Sequence, residues 1–231
     1  MQDVLHRLRC MDLIPRDARV RTKGHENTHT KRGFALGAVL MYSDTMFRVS
    51  QHTYRYKELA KVVCKLGRES FPDFPFTSVM INKGACTLHV DRNNCGPSMI
   101  CSLGEHTGGE LWQWPGDVID IHNKFQLSNG LLPHATLPFE GERYSIVYYC
   151  VRELRALPCD EDQRLLEELG FWSLAARPPK PSRARIDLLR TAAEKLKAFL
   201  EDRDSGAEAM TEATPEQQQN VPNRDDGDKE D

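Results

Sequence analysis

The chain has 231 residues, with 31 Lys and Arg against 34 Asp and Glu, so its formal net charge is −3. No apolar run approaches the roughly 20 residues that a membrane-spanning helix needs, and the first ten residues contain no apolar core of signal-peptide type. We therefore expect an intracellular protein, cytoplasmic or nuclear, with no membrane partner. The seven cysteines include no CxxC pair, so we expect free thiols rather than a close-paired zinc site or a disulfide framework.

Residues 1–70 are predicted to form a mixed strand and helix region that supports the core. Phe34–Met41 is short and apolar, which favours a strand. In Tyr56–Leu66 the apolar side chains recur every three or four residues, and this spacing predicts an amphipathic helix that ends at Gly67.

A β-rich core is predicted for residues 71–156, where short segments of β-branched and aromatic residues alternate with Gly, Pro and Asn turns. The eight expected strands are Thr77–Asn82, Cys86–Val90, Ser98–Leu103, Gly109–Trp114, Asp117–Ile121, Lys124–Leu127, Leu131–Leu137 and Tyr144–Val151. Because no helical pattern lies between them, an antiparallel sandwich or roll is favoured over a βαβ fold. The predicted class is mainly β with flanking helices (α+β).

Residues 157–200 return to helical periodicity. Asp160–Leu169 predicts a helix that stops at Gly170, and a second helix is expected to begin at Ser182. Residues 201–231 contain eleven acidic residues, three basic ones and five hydrophobic ones. This composition predicts an acidic disordered tail, because so few apolar side chains cannot offset the entropy lost on ordering.

Three residues of the β-rich core suggest a metal site. His89 and Asp91 lie two positions apart, so an extended backbone would direct both side chains to one face. Two histidines and one carboxylate with open coordination positions are diagnostic of non-haem Fe(II) oxygenases. His134, in the seventh segment, is the candidate third ligand. His122 is the alternative, but it lies too far before Arg143 for adjacent antiparallel strands joined by a short turn.

A candidate anion anchor follows nine residues after His134. Arg143 and Ser145 would share one face of the last strand. A guanidinium offers a carboxylate two parallel hydrogen bonds, and a hydroxyl adds a third. The pair could hold the far carboxylate of a dicarboxylic cosubstrate whose 2-oxo acid end chelates iron. The alternative is that Arg143 is a surface cation paired with Glu140 or Glu142.

The order HxD, distant His and RxS resembles that of the Fe(II)/2-oxoglutarate-dependent dioxygenases. The resemblance covers residues 77–151 and implies their double-stranded β-helix, a jelly-roll core of eight strands. It further implies that Fe(II) is the metal, that 2-oxoglutarate and O2 are cosubstrates, and that a C–H bond is hydroxylated with release of succinate and CO2. The residues assigned by the resemblance are His89, Asp91 and His134 for iron, and Arg143 and Ser145 for 2-oxoglutarate.

A finer resemblance is to the TET and base-J-binding-protein branch, which hydroxylates the methyl group of thymine or 5-methylcytosine. It is carried by Asn82, by the Gly108–Leu111 run and by the motifs above. It implies that Asn82 helps to hold 2-oxoglutarate, and that Asn93, Asn94 and Trp112 lie near the substrate. Turn formation by the two asparagines and packing by Trp112 are the alternatives. The chain lacks the cysteine-rich zinc region and the long basic insert of that branch.

Two functional classes therefore stay open. One is a hydroxylase acting on a modified nucleobase, a protein side chain or a metabolite. The other is a non-catalytic, cupin-like module that binds a metal or a small acid; a related variant keeps iron but uses another reductant. The first 200 residues carry a net charge of +5, which permits a nucleic-acid partner without requiring one. The sequence leaves the oligomeric state open.

Overall fold

The computed structural model describes residues 1–11, 32–41, 46–151, 159–172 and 183–211. The helices are α1 (Gln2–Arg9), α2 (Gln51–Arg55), α3 (Lys57–Ser70), α4 (Asp160–Leu169) and α5 (Leu189–Thr211), with a 3-10 turn at Ile186–Leu188 before α5. The strands are β1 (Arg32–Met41), β2 (Met46–Val49), β3 (Ser78–Lys83), β4 (Ser98–Leu103), β5 (His106–Gly108), β6 (Leu111–Gln113), β7 (Asp117–Ile119), β8 (Gln126–Ser128), β9 (His134–Thr136), β10 (Phe139–Gly141) and β11 (Tyr144–Tyr149). The protein is thus a mixed α+β protein with a sheet-rich core.

The strands form three separate antiparallel sheets. The largest has the order β2-β1-β3-β11-β4-β8, the second β7-β6-β9, and the third pairs β10 with β5. The sheets do not close into one barrel. A small apolar cluster of Ile100, Leu111 and Ile121 connects the first sheet to the second, with Val147 packed against it.

The eight-strand prediction is not confirmed, because the fully described stretch 77–151 contains nine strands. The additional β5 and β10 have three residues each, too few to show a period in the sequence. The predicted strand Cys86–Val90 is wrong: this segment is irregular and contributes one isolated bridge, from His89 to His134. Ladder pairing stops there because the chain turns at Asp91, whose carbonyl accepts a hydrogen bond from the Asn94 amide. The other seven predicted segments each overlap a strand.

Alternate residues of β11 separate a packed face from a cavity face. Tyr144, Ile146 and Tyr148 belong to the main hydrophobic core, which also contains buried residues of α3. The Tyr148 hydroxyl donates a hydrogen bond to the Val63 carbonyl of α3 at 2.8 Å. A Cβ added at Gly67 would lie 2.5 Å from Tyr148 Cε1, so this glycine permits the close approach of helix and sheet. The prediction that α3 ends at Gly67 is therefore wrong, and the helix continues to Ser70.

The N-terminal helix α1 was missed in the sequence. In α1, Val4 and Leu8 are each 1% exposed and belong to the main core. Arg9, the last residue of this helix, donates a hydrogen bond to the Glu142 carboxylate at 2.7 Å, and the same carboxylate forms an ion pair with Lys83. The helix thus attaches the N-terminal segment to the loop before β11.

The C-terminal helices agree with the sequence in part. The predicted helix Asp160–Leu169 has the same bounds as α4, and Gly170 ends it in the left-handed conformation, with φ 92°. Ser182 lies outside the described residues, but the predicted helix does not begin there, because residues 183–185 are not helical and α5 begins at Leu189. α5 continues to Thr211, into the predicted tail, and residues 212–231 lie outside the described residues. The chain divides into two compact units, Met1–Ala193 and Glu194–Asp231. The domain boundaries at 70, 156 and 200 stay predictions.

Two further expectations concern the chain as a whole. Within the described ranges, no helix combines the length and the apolar character that crossing a bilayer demands. The seven cysteines are free thiols, as predicted.

Candidate metal centre

The structure brings His89, Asp91 and His134 together. Each offers one ligand atom, and the three atoms lie within 4.8 Å of one another. His89 Nε2 is 3.5 Å from Asp91 Oδ1, and His134 Nε2 is 4.0 Å from Asp91 Oδ2. In the part of the chain that the structure describes, this is the one such group of His, Cys, Asp and Glu side chains.

The main chain positions all three side chains. His89 and His134 exchange both backbone hydrogen bonds, at 3.0 and 2.9 Å, and their rings lie 4.3 Å apart. The backbone amide of Asp91 donates to the carbonyl of Gly130 at 2.8 Å. The HxD segment is therefore attached to the start of β9 without the strand that the sequence predicted.

Both imidazoles present the same nitrogen to the cluster. His89 Nδ1 lies 2.7 Å from the Thr87 carbonyl oxygen, and His134 Nδ1 lies 2.9 Å from that of Leu132. Since a carbonyl can only accept, each Nδ1 carries a hydrogen and donates it. The lone pair is then on Nε2, next to the Asp91 carboxylate. Such backbone contacts fix the tautomer and orientation of metal-binding histidines.

The cluster lines a cavity of about 700 Å³, which Asn82, Arg143 and Ser145 also line. Ser145 pairs across the first sheet with Asn82 and with Ser102. Two residues further along β11, Val147 pairs with Met80 and Ile100, and these three apolar side chains also line the cavity. A polar row and an apolar row thus lie about 7 Å apart on one sheet face.

Arg143 is buried, with 2% of its surface exposed. Its Nε donates to the Gly109 carbonyl at 3.1 Å and its Nη1 to that of Gly84 at 3.3 Å. Gly109 has φ +79°, and a Cβ there would lie 2.8 Å from Arg143 Nε. The alternative, a surface cation paired with Glu140 or Glu142, is wrong, because Arg143 is buried and Glu142 pairs with Arg9 and Lys83.

Among the described residues, no carboxylate forms an ion pair with the Arg143 guanidinium, whose recorded hydrogen bonds go to backbone carbonyls. Burial lowers the pKa of Arg143, as expected for a cation removed from water. A buried, unpaired cation is costly, so the cavity favours an acidic ligand at this end.

Asn82 and Ser145 are each 2% exposed and contact each other. Asn82 Nδ2 donates to Ser145 Oγ at 3.2 Å. This contact leaves the hydroxyl hydrogen of Ser145 without an acceptor among the described residues. Asn82 Oδ1 is buried without a partner, on the side facing Gly33. Asn82 therefore acts on the cavity through Ser145.

The three candidate substrate-proximal residues have different positions. Asn93 and Asn94 line the cavity. Asn94 is 5% exposed, and its amide donates to Asp91 Oδ2 at 2.9 Å and to Ser98 Oγ at 3.2 Å. Trp112 is fully buried in β6 and is outside the lining of the cavity. The structure thus places Trp112 in the interior rather than next to a substrate, in agreement with the packing alternative.

The alternative ligand His122 belongs to another pair. Its Nε2 lies 3.0 Å from the Gly104 carbonyl oxygen, and its ring lies against that of His106, tilted by 31°, with 4.0 Å between centroids.

Two features of the site were not predicted from the sequence. One is Gly130, whose carbonyl accepts a hydrogen bond from the Asp91 amide, and the other is the apolar row that lines the cavity. The alternation of residues along β3, β4 and β11 is the signal that could have identified that row.

No protein-family model matches the chain, and a search of curated proteins found no match. Among solved structures, it is similar to a 2OG-Fe(II) oxygenase family oxidoreductase from Burkholderia pseudomallei, with 15% identity, a TM-score of 0.38, and coverage of 52% of this chain and 66% of that one. It is similar to a prolyl-4-hydroxylase from Pseudomonas putida, with 18% identity, a TM-score of 0.34, and coverage of 67% and 84%. A third is the Escherichia coli ribosomal oxygenase YcfD in complex with cobalt and succinic acid, with 15% identity, a TM-score of 0.32, and coverage of 74% and 54%.

These overlaps are partial and the sequences are distant. The match spans just under two thirds of the Burkholderia protein and about half of YcfD. The chemistry of this chain is therefore assigned from the residues of its own cavity.

Proposed function

We propose that the protein is an Fe(II)- and 2-oxoglutarate-dependent dioxygenase that hydroxylates a C–H bond and releases succinate and CO2. One observation carries the proposal. A single cavity contains both a His-Asp-His cluster with two oriented Nε2 atoms and a buried guanidinium that has no carboxylate partner among the described residues. The first feature suits a divalent cation, and the second suits an acid.

His89, Asp91 and His134 fit Fe(II). Imidazole nitrogen and carboxylate oxygen are ligands that this ion accepts, and three of them leave coordination positions open. When bound, the iron supplies the oxidative chemistry with O2 that no side chain provides. The protein supplies the orientation of the ligands, which the backbone bonds between His89 and His134 fix.

Arg143 and Ser145 fit the far carboxylate of 2-oxoglutarate. The guanidinium supplies the opposite charge, and the Ser145 hydroxyl donates its remaining hydrogen because Asn82 already donates to its oxygen. The apolar row of Met80, Ile100 and Val147 suits the methylene carbons between the two acidic ends. This assignment also implies that the first and second sheets correspond to the two sheets of a jelly-roll core.

For the substrate, we favour a protein side chain over the methyl group of 5-methylcytosine or thymine. A flipped base is usually held between aromatic or apolar side chains and needs a pocket shaped for it. Of the described residues that line the cavity, Tyr149 is the one aromatic side chain besides the two histidine ligands. Two of the solved structures named above are a prolyl-4-hydroxylase and a ribosomal oxygenase.

The test begins with metal-free protein under anaerobic conditions. Addition of Fe(II) and 2-oxoglutarate should produce the weak visible charge-transfer band of a chelated 2-oxo acid, and air should then yield succinate. His134→Ala should lose the band while remaining folded, because it removes one ligand. A folded, metal-loaded wild type with neither band nor succinate would refute the oxygenase and leave the cupin-like binding module.

The same assay separates the substrate classes. Succinate formation should rise when the true substrate is present, so it can be screened with peptides, amino acids and methylated oligonucleotides. Stimulation by oligonucleotides alone would overturn the preference for a protein side chain and support the nucleobase assignment.

A further inference from the structure

The side chain of Asn94 is committed to Asp91 rather than exposed to a substrate. It is 5% exposed, and its amide nitrogen donates to Asp91 Oδ2 and to Ser98 Oγ. An amide nitrogen carries two hydrogens, so these two contacts use both. Ser98 is itself 1% exposed, which means that this small network is shielded from water.

The surrounding backbone holds Asn94 in place independently of any metal. Asn94 forms an isolated bridge with Val151, and the next amide, that of Cys95, donates to the Cys150 carbonyl at 2.8 Å. The turn that carries Asn94 is thereby attached to the segment that follows β11. The amide of Asn94 consequently approaches Asp91 from a rigid position.

Gly130 confines the same carboxylate oxygen from another direction. A Cβ built at Gly130 would lie 2.6 Å from Asp91 Oδ2 and 3.3 Å from Asn94 Nδ2. The Asp91 backbone amide donates to the Gly130 carbonyl at 2.8 Å. Oδ2 thus accepts a hydrogen bond from the Asn94 amide, lies against Gly130 and is 4.0 Å from His134 Nε2, whereas Oδ1 lies 3.5 Å from His89 Nε2 and accepts no bond from Asn94.

We propose that Asn94 is a positioning residue that makes Asp91 bind the metal through one oxygen. This inference rests on the proposed function. The hydrogen bond from Asn94 occupies a lone pair of Oδ2, which would leave Oδ1 as the oxygen available to a metal ion, so that Asp91 would take one coordination position instead of two. The position saved in this way would be open to O2, because two imidazoles, a two-oxygen carboxylate and a chelating 2-oxo acid would together leave no open coordination position.

The experiment compares Asn94→Leu, which keeps much of the side-chain volume, and Asn94→Ala with wild type. Metal-free protein is titrated with Mn(II) by calorimetry, and the Mn(II)-saturated protein is then titrated with 2-oxoglutarate. Loss of a partner that orients a metal ligand typically weakens metal binding about 10- to 100-fold, and we expect this range. We also expect weaker 2-oxoglutarate binding to the saturated protein and an altered Mn(II) electron paramagnetic resonance line shape.

Ser98→Ala is the matched control. It removes the other acceptor of the same amide and leaves the bond to Asp91, so Mn(II) affinity should stay within about threefold of wild type. If Ser98→Ala weakens Mn(II) as much as the Asn94 variants do, Asn94 merely stabilises the turn. Equal Mn(II) affinity in wild type and folded Asn94 variants would also overturn the inference.

Two further outcomes are informative. If circular dichroism shows that the Asn94 variants do not fold, Gly130→Ala tests the same idea by pushing Oδ2 from the opposite side, and unchanged Mn(II) affinity would count against it. If wild type itself binds neither Mn(II) nor Fe(II), the proposed function fails. Failure of the Asn94 assignment alone leaves wild-type metal binding and its charge-transfer band intact.

Discussion

The two faces of the six-stranded sheet are built from the same strands but differ in chemistry. On one face, Ile81, Ile146 and Tyr148 are fully buried in the main core against the helices. On the other face, the alternate residues Asn82 and Ser145 line the cavity. A strand directs successive side chains to opposite faces, so neighbouring residues contribute to stability and to ligand binding separately.

This separation means that the two properties can be measured independently. A change on the cavity face should alter ligand affinity with little effect on the melting temperature. A change on the packed face should do the reverse. Each of the following predictions would strengthen or break this distinction.

The largest effect is expected for Arg143→Ala. Hydrogen bonds to charged groups contribute about 1.5–3 kcal/mol, so 2-oxoglutarate should bind the Fe(II)-loaded protein roughly 10- to 150-fold more weakly. The charge-transfer band measures this affinity anaerobically. Mn(II) affinity should be unchanged, because Arg143 contacts Gly84 and Gly109 and none of the three ligands. Equal loss of metal and cosubstrate would show that Arg143 supports the whole cavity instead of anchoring an acid.

A smaller effect, confined to stability, is expected for Gly67→Ala on the packed face. The new methyl group would meet the ring of Tyr148, and overpacking a core usually costs about 1–3 kcal/mol. Thermal or urea unfolding should report this loss. The control is Lys61→Ala, on the exposed side of the same helix. A drop in Mn(II) affinity for Gly67→Ala would contradict the independence of the two faces.

The smallest effect concerns pH. Burial lowers the pKa of His106, and the neighbouring His122 and Arg143 lower it further. The Gly108 carbonyl and Glu110 act in the opposite direction. The unfolded chain therefore takes up a proton at His106 near pH 6.5 while the folded protein does not. Stability from this residue is present above that pH and is lost as the pH falls below it.

Melting temperatures of metal-free protein between pH 7.5 and 5.5 test this linkage. Wild type should lose more stability on acidification than His106→Gln, which has no proton to gain. An identical pH dependence in the two proteins would show that His106 is protonated equally in the folded and unfolded states.

The sequence predicted which side chains converge better than it predicted the backbone that holds them. His89, Asp91 and His134 were chosen as candidate ligands from residue type and spacing and do lie together, yet the assumed strand Cys86–Val90 does not exist. The pairing of His89 with His134 depends on contacts between distant segments, which local propensity does not reveal. The same limit applies to Asn94, which the sequence placed near the substrate. Its hydrogen bond to Asp91 depends on the geometry of a turn, which the sequence does not reveal.

Regular elements were predicted where periodicity and stop signals agree. β4 and α4 have the expected bounds, and Gly170 ends its helix as predicted. Gly67 also looked like a helix stop signal, but the helix continues past it. This glycine leaves room for the ring of Tyr148, a tertiary contact that composition does not reveal. Arg143 was expected to bind the carboxylate of a cosubstrate. Its burial and its hydrogen bonds to backbone carbonyls could be seen only in the folded structure.

The reciprocal backbone bonds between His89 and His134 have a consequence for how the protein is assembled. Because main-chain groups make them, the two rings are already side by side in the newly folded chain, before any ion arrives. Metal delivery can then follow folding as a separate event, unlike in small zinc domains that are unfolded without their ion. A chelator should accordingly empty the protein and leave it ready for reloading with a different ion.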